Sequence, residues 1–254
     1  METLYHKIYG EGDPVVIIHG LFGMSDNWST FAKKLAETHM VILVDVRNHG
    51  RSPHFDDFTY QNAAEDIVHL LQENWIYRAS IIGHSMGGKI AVQIAADHPD
   101  MVEKLIVVDI VPVTYNGGHE KIISALKHVD LDNMKSRGQV EKILKGDLKD
   151  LGVVRFLLKN LSRKKEGGFR WKMNLPVLEK AYLDILDQPY IDFVDIPTLF
   201  IKGDKSDYIK LEDKDILDNL FENYRLITIA DAGHWIHVDQ PEKLYSTIIA
   251  FLKE

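Results

Sequence analysis

The chain has 254 residues, 45% of them hydrophobic, which suffices for one substantial core and fits a single domain of ordinary α/β size. A formal charge of −8 counts against nucleic-acid or anionic-membrane binding, and without cysteine there is no disulfide, thiolate zinc site or cysteine nucleophile. No apolar run is long enough to span a membrane and the N-terminus lacks the apolar core of a signal peptide, so a soluble cytoplasmic protein is expected, monomeric or a small homo-oligomer.

In chain order, Leu4–Tyr9 alternates and reads as an edge strand closed by the Gly10–Pro14 turn. Val15–His19 is a buried strand that runs into Gly20-Leu21-Phe22-Gly23, and a helix begins near Trp28. Val41–Asp45 is a second buried strand, followed by the polar segment Arg47-Asn48-His49-Gly50-Arg51-Ser52-Pro53. Ala63, Ile67, Leu70 and Leu71 mark an amphipathic helix. Ala79–Lys89 then passes from apolar strand through a sharp turn into helical spacing, and Leu105–Val111 is the next strand. After Pro112 the rhythm breaks: 115–191 carries helical patterns, without a long β-branched run, punctuated by Gly117-Gly118 and Gly167-Gly168. The sheet resumes at Pro197–Lys202 and ends with Arg225–Ala230, before a closing helix that starts at Pro241. Alternating strands and helices predict a mostly parallel sheet flanked by helices, one domain over 1–254, with 113–191 as a helical cap inserted into it.

Gly83-His84-Ser85-Met86-Gly87 fits G-x-S-x-G between strand and helix, the context that turns a serine into an exposed nucleophile. Gly83 and Gly87, two residues to either side, remove side chains that would collide with Ser85 at the strained turn, and Gly88 lets the helix pack close to its strand. The same letters, Gly83-x-x-x-x-Gly88-Lys89, begin a phosphate-binding loop, with Leu105–Asp109 as a metal-aspartate look-alike. That reading needs Ser or Thr after the lysine and meets Ile90 instead. A serine needs a base, and the base needs a carboxylate. Of twelve histidines, only His234 lies in a glycine-containing loop after the last strand, in the order nucleophile, acid, histidine. The oxyanion hole is expected from the backbone N–H groups of Leu21 and Met86. His49 and His84 read as loop supports, and Asp45-x-Arg47-Asn48-His49 as a hydrogen-bonded brace beside the oxyanion loop. His234-x-x-His237 between Asp231 and Asp239 could be drawn as a metal site, but no further ligand pair has supporting spacing, and no metal is expected. Phe22, Phe156, Trp171 and Trp235 are the candidates for lining the substrate pocket.

Together, His19–Gly23, Asp45–Ser52, Gly83–Gly88, Asp109-Ile110-Val111-Pro112-Val113 and Gly233-His234-Trp235 resemble the YbfF-type serine esterases of the α/β-hydrolase superfamily. The likeness continues through Phe156–Lys159, Phe169–Trp171 and Asn174–Leu178, so it covers nearly the whole chain. The resemblance implies an α/β-hydrolase fold with a helical cap after the family's sixth strand. It also implies hydrolysis of small-molecule acyl esters or thioesters without metal or organic cofactor. It makes Asp109 the triad acid, with Ser206 as a supporting hydrogen-bond partner. Asp207 is the alternative acid: the common Gly-x-x-Asp count from Gly203 reaches Ser206, and Asp207 stands one residue late. Two other readings stay in view: another chemistry on the same triad, such as C–C bond hydrolysis, and a ligand-binding protein on an α/β-hydrolase body. Haloalkane and epoxide hydrolysis are disfavoured, because relatives that do them carry an aspartate where Ser85 stands.

Overall fold

Apolar runs covered on both faces become parallel strands, and amphipathic segments become the helices that cover them. The computed structural model describes residues 2–254. The first half forms β1 (His6–Tyr9), β2 (Pro14–Ile18), α1 (Ser29–Leu35), β3 (Met40–Val44) and α2 (Tyr60–Glu73). It continues with β4 (Ala79–His84), α3 (Met86–Asp97) and β5 (Val102–Val108). The insertion that follows holds α4 (Glu120–His128), α5 (Arg137–Asp147), α6 (Leu151–Leu158), β6 (Leu161–Arg163), β7 (Phe169–Trp171), α7 (Leu175–Lys180) and α8 (Tyr182–Leu186). The chain closes with β8 (Thr198–Gly203), α9 (Lys214–Leu220), β9 (Tyr224–Ile229), α10 (Ile236–Asp239) and α11 (Pro241–Leu252).

Seven strands pair in the order β1-β3-β2-β4-β5-β8-β9, parallel except for the antiparallel edge β1. Alternate side chains divide the core in two, because successive residues of a strand point to opposite faces. Ile18, Val44, Ile81 and Val107 pack with α2 and α3, whereas Ile17, Leu43, Ile82 and Val108 pack with α1 and α11. The strand the family counts as sixth is β5 in this seven-stranded sheet, and the insertion follows it.

The insertion is not wholly helical, in contrast to the sequence expectation. β6 and β7 form an antiparallel hairpin, Leu161 opposite Trp171 and Arg163 opposite Phe169. Each strand has three residues, too few for alternation to register in sequence. Strand order places the ends of β2, β4, β5, β8 and β9 together at one edge, where a doubly wound sheet collects its functional groups.

Candidate active site

Ser85 stands between β4 and α3 with φ 54° and ψ −124°, a left-handed conformation that a serine keeps only when its surroundings enforce it. The flanking glycines enforce it by a route different from the collision with the serine expected from sequence. A Cβ on Gly83 would lie 2.2 Å from the Gly87 carbonyl oxygen, and one on Gly87 would lie 2.4 Å from the Ile18 carbonyl oxygen. The glycines thus let the first turn of α3 sit against β4 and the end of β2. Lys89 is absent from any phosphate site: its Nζ donates to the carbonyls of Leu186 (3.0 Å) and Asp187 (2.7 Å) at the end of α8. Burial brings its pKa down to about 7.

Asp109, just past β5, is fully buried. One carboxylate oxygen accepts from the Gly203 amide (3.0 Å). The other accepts from the Ser206 hydroxyl and from Nδ1 of His234 (2.8 Å). Three donors make a buried carboxylate tolerable and aim it at the imidazole. Asp207 is exposed and turned into solvent, one residue past the hydroxyl that serves Asp109. Asp204 has a different task, accepting from the Ala232 amide (3.1 Å) to tie the turn after β8 to the loop after β9. The Tyr208 ring stacks on His234 at 3.9 Å and 18°, and His84 Nε2 donates to the His234 carbonyl (2.8 Å). Ring and backbone of His234 are therefore held independently. Sequence reasoning found His84 as a support but not Tyr208, for which no motif exists.

The amides of Leu21 and Met86 have no acceptor among the described residues and flank Ser85. The loop carrying Leu21 is braced as the sequence suggested. His49 Nε2 accepts from the Phe22 amide (3.2 Å), while His49 Nδ1 donates to the Arg47 carbonyl (2.9 Å). His19 Nε2 accepts from the Val46 amide (3.0 Å). Asp45 accepts from the Ser25 amide (2.6 Å) and the Arg51 amide (2.8 Å). Gly50 has φ 60°, and a Cβ there would lie 2.1 Å from the Asp45 carboxylate, which explains glycine in Arg-Asn-His-Gly. Arg47 grips Asp66 of α2 through Nε (2.6 Å) and Nη2 (3.1 Å), a bidentate pair that anchors the brace to the core.

Two lobes of a pocket meet at Ser85. The first is lined by Phe22, Trp28, Ile122, Phe156, His234 and Trp235, and the second by Tyr60, Met86, Ile110, Tyr115, Ile185 and Tyr208. Leu21, Ser85 and His119 border both. Phe22, Phe156 and Trp235 are brought to the site, with Phe156 and Trp235 in ring contact at 5.4 Å. Trp171 is not: it is buried in the insertion, donates Nε1–H to the Leu126 carbonyl (3.2 Å) and borders an outer groove beside Gly50, Arg51 and Lys172. An aromatic in β7 points toward α4 rather than toward the serine, and its position in a hairpin was hidden in the sequence. His119, Tyr60 and Tyr115 line the site without having carried any signal of their own.

Burial holds several of these imidazoles neutral. It pulls His49 and His237 down to about 3 and His119 to about 4, and lowers His19 and His84 as well. Their hydrogen bonds agree, since the accepting nitrogens of His19 and His49 require neutral rings. In the unfolded chain each titrates near the ordinary imidazole value, so the stability is fully present above pH ~6.5. It is lost as pH falls toward the lowered folded values, because only the unfolded chain then takes up these protons. His19, His49 and His84 together should contribute a slope of up to about 4 kcal/mol per pH unit. Urea midpoints should fall steeply between pH 7 and pH 5, with a shallower fall in His49→Gln. Equal midpoints at the two pH values would show that these rings titrate freely in the fold.

Strained serine, carboxylate-bound histidine and unpaired amides at the carboxyl ends of a parallel sheet define the class as a hydrolase of the α/β type. The family described as alpha/beta hydrolase fold matches residues 13–142 and 159–241. The chain is 37% identical over 242 residues to "Esterase YbfF" of Escherichia coli, covering 95% of this chain and 93% of the relative. It is 38% identical to "sn-1-specific diacylglycerol lipase ABHD11" of Danio rerio, over 98% of this chain and 82% of that protein. A solved "Marine microorganism esterase" superposes with a TM-score of 0.97 at 41% identity, over 99% of this chain and 100% of the other. The chain belongs to the α/β-hydrolase family, and within it to the group of YbfF-like esterases.

Proposed function

We propose that this carboxylic-ester hydrolase cleaves acyl esters and thioesters through Ser85, His234 and Asp109 by way of an acyl-enzyme. The observation that carries this reading is the 2.8 Å pair between His234 Nδ1 and the buried Asp109 carboxylate, in a pocket whose wall includes Ser85. Ser85 Oγ attacks the substrate carbonyl carbon while His234 Nε2 takes its proton, and Asp109 stabilises the resulting imidazolium. Charge developing on the carbonyl oxygen is met by the N–H groups of Leu21 and Met86, reinforced by the N-terminus of α3. Collapse breaks the bond to the leaving alcohol or thiol, which receives the proton from His234. Water, deprotonated by the same imidazole, then releases the acid and restores Ser85.

The two lobes divide the substrate at the reacting carbon, one for the acyl chain and one for the leaving group. Their aromatic and aliphatic linings favour uncharged chains, in keeping with the esterase and lipase names of the relatives. The test is covalent: a fluorophosphonate should label one residue, Ser85, in parallel with loss of ester hydrolysis. Labelling at another serine, or full turnover in the labelled protein, would refute the proposal.

A further inference from the structure

The oxyanion loop turns on Phe22, whose φ of 59° is a conformation that a bulky side chain adopts only under constraint. The constraint comes from both sides of the residue. The core supplies His49, which accepts from the Phe22 amide. The insertion supplies Asn160, whose Nδ2 donates to the Phe22 carbonyl at 2.7 Å from 138 residues away in the sequence. A carbonyl can only accept, so the amide nitrogen and not Oδ1 must face Phe22. Asn160 is fully buried, and its Oδ1 has no donor among the described residues. Leucine would fill nearly the same volume without burying an orphaned carbonyl, so packing does not account for an asparagine here.

We infer that Asn160 is a positioning residue for the oxyanion hole, through which the insertion holds the Leu21 amide on its target; this rests on the serine mechanism proposed above. Asn160 follows α6, and its own backbone is fixed twice, by Asn160 N donating to the Leu157 carbonyl (2.9 Å) and by Lys172 N donating to the Asn160 carbonyl (2.8 Å). Phe156, which lines the first lobe, stands one helical turn earlier. A second clasp lies beside it, where Asn174 N donates to the Asn48 carbonyl (2.8 Å), next to His49. One rigid segment of the insertion thus shapes the pocket and completes the electrostatics of catalysis. Hydrolysis then requires the insertion to be seated.

The experiment compares wild type with Asn160→Leu and Asn160→Asp on a short acyl ester, and measures inhibition by an alkyl trifluoromethyl ketone, which adds a serine to form a tetrahedral oxyanion. Asn160→Leu should lower kcat by about 10- to 100-fold with KM within about threefold, and should weaken the ketone by the same factor as kcat/KM. In Asn160→Asp a carboxylate faces the Phe22 carbonyl, and only its protonated form can donate, so activity relative to wild type should rise as pH is lowered. Wild-type kcat and ketone affinity in Asn160→Leu would overturn the inference, as would a rise in KM alone. Failure of both variants to fold would place the role of Asn160 in the fold and count against it equally. A wild-type enzyme that neither binds the ketone nor takes a fluorophosphonate on Ser85 would instead refute the underlying mechanism.

Discussion

Ser85→Ala should lose roughly 10⁶-fold in kcat on a short acyl ester, keep KM within a few-fold and unfold at nearly the wild-type temperature. The chemical loss is large because, among the described residues, no other hydroxyl borders both pocket lobes together with the unpaired amides of Leu21 and Met86. In the proposed mechanism serine and imidazole act as one unit, so removing the nucleophile also idles His234 and Asp109. Stability should hardly move. The Ser85 hydroxyl donates to no structural acceptor among the described residues, and alanine at φ 54° is strained no more than serine. Steady-state kinetics with a calorimetric scan on the same preparation read both quantities. Retained hydrolysis in a folded Ser85→Ala protein would end the serine mechanism.

The acid is the second decisive position. Asp109→Asn should lower kcat by about 10⁴-fold, since an amide facing His234 Nδ1 favours the wrong tautomer and leaves the imidazolium without a counter-charge. It should also destabilise the protein by about 1–3 kcal/mol, because Gly203, Ser206 and His234 all donate to this carboxylate and an NH₂ must be set against one of them. Asp207→Asn, at an exposed side chain, should change kcat by less than about twofold. Measuring both variants at a temperature where each is folded separates chemistry from stability. The opposite ranking would transfer the acid to Asp207 while leaving Ser85 and His234 in place.

Local chemistry made the proposed nucleophile and base readable from the chain. G-x-S-x-G between strand and helix is a backbone requirement, satisfied by a contiguous handful of residues, and a histidine after the last strand is placed by chain order alone. The alternation of apolar runs and amphipathic helices likewise determined a parallel sheet, because its side-chain periods are local. Asp45, Arg47 and His49 could be seen as a brace because they crowd one short loop, although which amides they hold could not be seen.

What the sequence by itself determined is therefore the class of fold, the position of Ser85 and His234, and the family in which both belong. Only the tertiary structure brought Asp109 to Ser206 and His234, from 97 and 125 residues away, and left Asp207 exposed. Only the tertiary structure sent Trp171 into the insertion, stacked Tyr208 on His234 and brought Asn160 to Phe22. The physical reason is the same in each case. Motifs record what a residue requires of its immediate neighbours, whereas a buried hydrogen bond between distant segments depends on how the insertion packs over the sheet, and no local period encodes that packing.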